Sequence, residues 1–169
     1  MSITEVINEL DRNRKVFHEM LYGLPPDFVS WKSNPKGWCT LEIVCHLIDE
    51  EVKDFRARVI HALEYPEKPL VPIDPPGWAI TNKYLEQDFE ASVKKWHHER
   101  QKSIEWLKEL SNPNWESAVE HPDLGYLTAR SFLYNWLAHD YHHIRQINNL
   151  RYSYHKENSG DPLTYAGKW

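Results

Sequence analysis

Residues 128–152 read TARSFLYNWLAHDYHHIRQINNLRY. Phe132, Trp136, His139, His143, Ile147 and Leu150 recur in steps of 4, 3, 4, 4 and 3. That spacing puts them on one face of an α-helix. Thr128 is placed to open the helix as an N-cap. No proline or glycine occurs from 126 to 159, so nothing in the stretch breaks a helix interior. The apolar face is unusual in one respect: two of its members are histidines.

The same punctuation organises the rest of the chain. Proline and glycine are also absent from 1–22, 38–65 and 78–112. In the first of these, Ser2 or Thr4 can cap a helix whose stripe is Ile3, Ile7, Leu10, Phe17 and Leu21, with Arg14 in the gap. In the second, Thr40 is a cap candidate with Glu42 near the positive helix end. Its stripe is Leu41, Val44, Ile48, Val52, Phe55, Val59 and Leu63, and Pro66 stops it. In the third, Leu85, Phe89, Val93, Trp96, Ile104 and Leu107 form the stripe, with Arg100 inside it. The spacing predicts helices over 3–22, 40–64, 82–110 and 128–152. Four amphipathic helices of similar length predict an all-α fold, a four-helix bundle in a single domain over 1–169. Turn signals are too sparse for a sandwich or barrel. The connections 23–39, 65–81 and 111–127 exceed the roughly 2–8 residues usual in bundles, so they cross the bundle or build something at its ends.

Bulk composition excludes several functions. Twenty Lys+Arg against 25 Asp+Glu give a net charge of −5, with no long basic run. Sequence-independent nucleic-acid binding needs clustered cations, so no nucleic-acid partner is expected. No apolar run approaches a membrane span, and the start MSITEVINELD lacks the layout of a signal peptide. Cys39 and Cys45 provide no disulfide framework. A cytoplasmic protein without membrane partners is the expectation.

Among the 10 histidines, His139 and His143 stand one turn apart on a core face. They are either two buried imidazoles bonded to neighbours or half of a metal site, since such a pair can converge on one ion at about 2.0–2.1 Å. His46 is the best third ligand by chemistry. By phase it lies about 200° from Val44, bordering the apolar arc, which would put a site at the bundle's edge, open to water. His97, His98, His142 and His155 fall off the stripes. Glu-x-x-His, His-Glu-x-x-His and Cys-x-x-Cys are all absent.

Three stretches resemble the DinB-like (YfiT/DinB) superfamily of bacterial metal-binding bundles. Trp38-Cys39-Thr40-Leu41-Glu42-Ile43-Val44-Cys45-His46-Leu47 is similar to the family's lead-in to helix two. His121-Pro122-Asp123-Leu124-Gly125-Tyr126-Leu127-Thr128 is similar to its loop into the last helix. His139-Asp140-Tyr141-His142-His143-Ile144-Arg145-Gln146-Ile147 is similar to its His-Asp-x-x-His-x-x-Gln motif. The resemblance implies long crossover loops as part of the fold, a homodimer, and His46, His139 and His143 as ligands of a divalent metal such as Zn, Ni, Mn or Fe. It also implies an enzyme acting on a small molecule. That enzyme would be a hydrolase or a transferase of a low-molecular-weight thiol such as bacillithiol or mycothiol; the alternative is a non-catalytic binding or stress-response module.

Supporting residues can be named around such a site. Gln146 lies close enough to the stripe to orient a ligand. Asp140 and Glu50 read as ordinary exposed carboxylates, with a supporting role as the alternative. Arg100 either binds an anionic substrate or pairs with an acid inside the bundle. Trp38 and Trp78 line a mouth or seal a core end, and His121 is expected to cap helix four. The tail from Ser153 to Trp169, with Tyr154, Tyr165 and Trp169, is aromatic enough to pack back on the body.

Overall fold

The computed structural model describes residues 1–169. Helix α1 (Ile3–Leu21) opens with a reciprocal capping box between Ser2 and Glu5. A short α2 (Pro26–Val29) interrupts the first connection. Helix α3 (Thr40–Asp49) passes through a π-helical turn (Glu50–Phe55) into α4 (Arg56–Glu64). The second connection carries α5 (Pro75–Thr81) and a 3₁₀ turn over Tyr84–Glu86. Helix α6 (Phe89–Glu109) comes next. Strands β1 (Ala118–His121) and β2 (Gly125–Thr128) pair antiparallel, and α7 (Ala129–Ser159) closes the bundle.

The α3–π–α4 rod packs against both α6 and α7, and so does α1. Thus α1 lies diagonally across from the rod, and α6 across from α7. Apolar clusters fix the directions. One gathers Val6, Leu10, Val59, Ala62, Ile104, Leu107 and Leu133. The other gathers Phe17, Leu21, Ile43, Leu47, Val93, Trp96, Ile147 and Leu150. The first cluster takes the starts of α1 and α7 and the ends of the rod and α6. The second takes the opposite ends. So α1 and α7 run one way, and the rod and α6 the other. Two connections therefore cross a diagonal, one at each end of the bundle, and the third travels the bundle's length. This all-α four-helix topology explains why every connection is long.

Several boundaries differ from the sequence reading. Cys39, not Thr40, is the N-cap of α3, and Glu42 accepts the Cys39 N–H at 2.9 Å. Helix α6 starts at Phe89 rather than 82, because Asp88 caps it by accepting from Ala91 N–H at 2.7 Å. Just before, Lys83 is left-handed at φ 49°, and Leu85 is exposed instead of in the core. Helix α7 runs past 152 to Ser159, where Gly160 at φ 66° ends it; that conformation costs glycine least. Tyr154 is thus helical and packs on Phe28 and Trp31. The rest of the tail returns only through Trp169, which stacks on Tyr152 at 4.6 Å, while Tyr165 is fully exposed. Val52 also leaves the predicted core. At about 100° per residue Glu51 lies closer to the Val44 face than Val52 does, and in the π turn Glu51 is buried and Val52 is exposed.

Candidate metal centre

Between the two apolar clusters lies a polar layer at mid-bundle. Arg100 of α6 is 1% exposed. Its Nε donates to both Glu51 oxygens at 3.0 and 2.9 Å. Its Nη1 and Nη2 donate to the two Asp140 oxygens at 2.7 and 2.8 Å. Asn13 of α1 adds a bond to Asp140 at 3.2 Å, and Trp136 Nε1 one to Glu51 at 3.0 Å. The network takes a member from α1, the π turn, α6 and α7. Of the two alternatives for Arg100, the structure shows the internal pair. Asp140 and Glu50 are both buried, which corrects their reading as exposed carboxylates. Burial pushes the Glu51 carboxyl up, against the lowering pull of Arg100.

The histidines sit beside this layer, where α3 faces α7. His46, His139 and His143 each offer a ring nitrogen, and the three lie within 4.8 Å of one another. The Nε2 atoms of His46 and His139 are 3.3 Å apart, and those of His139 and His143 3.0 Å. Hydrogen-bond partners assign the tautomers. His143 Nδ1 donates to Gln146 Oε1 at 2.8 Å, leaving its Nε2 as a lone pair. His46 Nδ1 faces Glu50 Oε1 at 3.6 Å, beyond hydrogen-bond length, and has no other partner. When the His46 proton is on that side, its Nε2 is a lone pair as well. A single proton on His139 Nε2 can serve only one neighbour. One close N···N contact is therefore lone pair against lone pair, a repulsion that a shared cation removes.

The spacing fits such a cation. Two nitrogens at ~2.05 Å from one ion are about 2.9 Å apart at a right angle and about 3.3 Å apart at the tetrahedral angle. Neutral imidazoles are what a metal needs, and burial enforces them. It lowers His46 to about 4 and His143 to about 3. His139 is lowered to about 2 by burial and then by the neighbouring His143. Trp38 lies 4.7 Å from the His46 ring and Phe55 4.9 Å from the His139 ring, so apolar faces shield both. Glu50 is pushed up to about 8 by burial and then by the Asp54 carboxylate.

One side of the site is open. His139 lies in the wall of a cleft of about 400 Å³ shared by the π turn, α4, the β-hairpin and α7. Its walls are chiefly apolar, including Phe55, Leu124, Leu127 and Phe132. His121 and His142 also line it. His121 does not cap α7; Thr128 does, accepting from Ser131 N–H at 3.0 Å. His121 instead ends β1, where its Nδ1 accepts the Asp123 N–H at 3.2 Å. Trp78 is away from the cleft, against Lys53, 4.9 Å from the ring centre. Arg58, another cleft residue, carried no signal in the sequence, because a lone arginine in a charged helix reads as solvated.

Known proteins share this fold and much of the chain. A curated protein of Oceanobacillus iheyensis, which carries the provisional name of a metal-dependent hydrolase, is 24% identical over 150 residues, covering 88% of this chain and 85% of that protein. YfiT from Bacillus subtilis, described as a probable metal-dependent hydrolase with an unusual four-helix bundle topology, superimposes with a TM-score of 0.79 at 18% identity over 95% of this chain and 90% of its own. The sequence profile of the DinB superfamily matches residues 9–147, so the chain belongs to that superfamily.

Proposed function

We propose that His46, His139 and His143 hold one divalent metal ion through Nε2, and that the protein is a metal-dependent hydrolase of a small molecule. The observation that carries this reading is the convergence of three Nε2 atoms, with that of His143 fixed as a lone-pair donor. A divalent ion there supplies Lewis acidity and brings a bound water or thiol towards ionisation near neutral pH. The protein's own residues do the rest. Gln146 holds His143 in the ligating tautomer, and Glu50 stands opposite Nδ1 of His46. Trp38 and Phe55 keep bulk water from the ring faces, and the cleft beside His139 admits an apolar substrate body. The names of the two relatives support hydrolysis over the other reactions open to such a site.

Protein loaded separately with zinc, nickel and manganese tests the proposal. One ion per chain and hydrolysis of 4-nitrophenyl esters are expected, with both lost in His46→Ala. Absence of uptake of all three metals, or equal activity in the variant, overturns it. Transfer of small thiols to 1-chloro-2,4-dinitrobenzene without ester hydrolysis would instead assign thiol S-transfer to the same residues.

A further inference from the structure

The cleft contains a cation that the protein leaves partly unanswered. Arg58 of α4 is nine-tenths buried and lines the same cleft as His139. Its Nε donates to Asp54 Oδ1. Its buried Nη1 has no hydrogen-bond partner. The guanidinium carbon lies 5.8 Å from the centre of the Phe132 ring, which restrains the group. A buried guanidinium donor without an acceptor costs roughly 1–3 kcal/mol or more, so a partner from outside the chain is well rewarded. Carboxylates and phosphates are the matched partners for that planar fork.

The other walls narrow the ligand. With Nδ1 accepting from Asp123 N–H, neutral His121 carries its proton on Nε2 and is a second donor. Asn135 has spent an amide N–H on Ser131 O at 2.8 Å. Asp54 already answers one side of Arg58, and no lysine lines the cleft. The Arg58–Asp54 pair is already neutral, so charge disfavours a dianion more than a monoanion, and what Arg58 offers the ligand is its unpaired donor. The remaining lining is chiefly apolar.

We infer that Arg58 is a specificity-determining residue, holding a free carboxylate borne by a substrate with an apolar body, such as the half-ester of a small hydrophobic diacid or an amino acid acylated by a small hydrophobic acid. This rests on the reading of the three histidines as a hydrolytic centre. The test titrates phenylacetate, phenylacetamide and phenyl phosphate into isotope-labelled, zinc-loaded protein by NMR. Phenylacetate should bind and move the Arg58 Nε–H and the Leu124 and Leu127 amide signals, at least tenfold more tightly than the other two probes. Arg58→Met alone strands Asp54, so Asp54→Asn/Arg58→Met is the paired variant. It should lose phenylacetate affinity at least tenfold while zinc affinity stays within twofold. Equal affinity in that variant, equal affinity for phenylacetamide, or shifts confined to other surfaces overturn the inference. Repeating the titration in His46→Ala removes direct binding of phenylacetate to zinc as an explanation, and Arg58-dependent binding should persist there. If the wild type takes up no zinc yet shows this Arg58 dependence, the metal reading fails alone. If zinc binds and Arg58 makes no difference, only this inference falls.

Discussion

A buried histidine differs from a histidine ready for a metal by the placement of one proton. In this protein that placement is set from outside the triad on His143, by Gln146, while the Glu50 carboxyl stands 3.6 Å from Nδ1 of His46. Gln146→Ala removes the acceptor that fixes the His143 tautomer. Outer partners of this kind are worth about 10–100-fold in metal affinity, and a chelator-competition titration should show a loss in that range for zinc. An affinity unchanged within twofold would mean that His143 is oriented by packing alone. Of these details the sequence reveals a part. The step of four between His139 and His143, and Gln146 on the same face, are legible from spacing. The burial of Asp140 and Glu50 is not. A carboxylate reads as exposed unless its partner is known, and Arg100, the partner of Asp140, lies 40 positions away on another helix. The burial of three imidazoles has a further consequence. Their depressed values mean that the folded metal-free site binds no protons until well below neutral pH. Proton competition at the site between pH 7.5 and 6 should therefore be weak.

Helices α3 and α7 supply all three histidines, and the π turn sets which faces of the rod beyond His46 point inward. Proline and glycine placement reveals the four rods, because those residues act locally. The π turn is hidden, because a phase slip leaves no residue of its own and the apolar pattern reads smoothly across it. Val52 tests which face of the rod is outward. It faces solvent while Glu51 is buried, so Val52→Lys should stay within about 0.5 kcal/mol, or at most ~2 °C in Tm. A fall of 8 °C or more would place Val52 in the core. The triad also joins two elements, so an ion bound there should stabilise their packing. Zinc at a free concentration 100 times its Kd adds about 2.7 kcal/mol, which for a chain of this size is about 5–11 °C in Tm. Thermal melts should show this gain in the wild type and none in His139→Ala.

Across the whole molecule, two apolar clusters are joined by a charged layer, and Arg100 is the cation that makes the layer tolerable. It faces two buried carboxylates, and together they connect the π turn, α6 and α7, with α1 added through Asn13. Removing one partner of a buried pair typically costs about 3–5 kcal/mol, because the other is left charged without compensation. Arg100→Met should therefore lower Tm by roughly 6–20 °C near neutral pH. The loss should depend on pH in a stated direction. Burial already raises the Glu51 carboxyl above its ordinary value, and Arg100 is what opposes the rise. Without Arg100 the folded-state value climbs further, while the unfolded value stays near 4.3. Between those two values the folded variant holds more protons than the unfolded chain, so its stability falls as pH rises. The deficit relative to wild type should be smaller at pH 5 than at pH 8. Adding Glu51→Gln removes one of the two carboxylates that Arg100 faces, so Arg100→Met/Glu51→Gln should lose part of that pH dependence while remaining less stable than wild type. Urea unfolding of the three proteins at both pH values measures this. A deficit that is equal at pH 5 and pH 8 in Arg100→Met would mean that the layer holds through packing of the guanidinium over Trp96 and Trp136, and not through its pairing with the carboxylates.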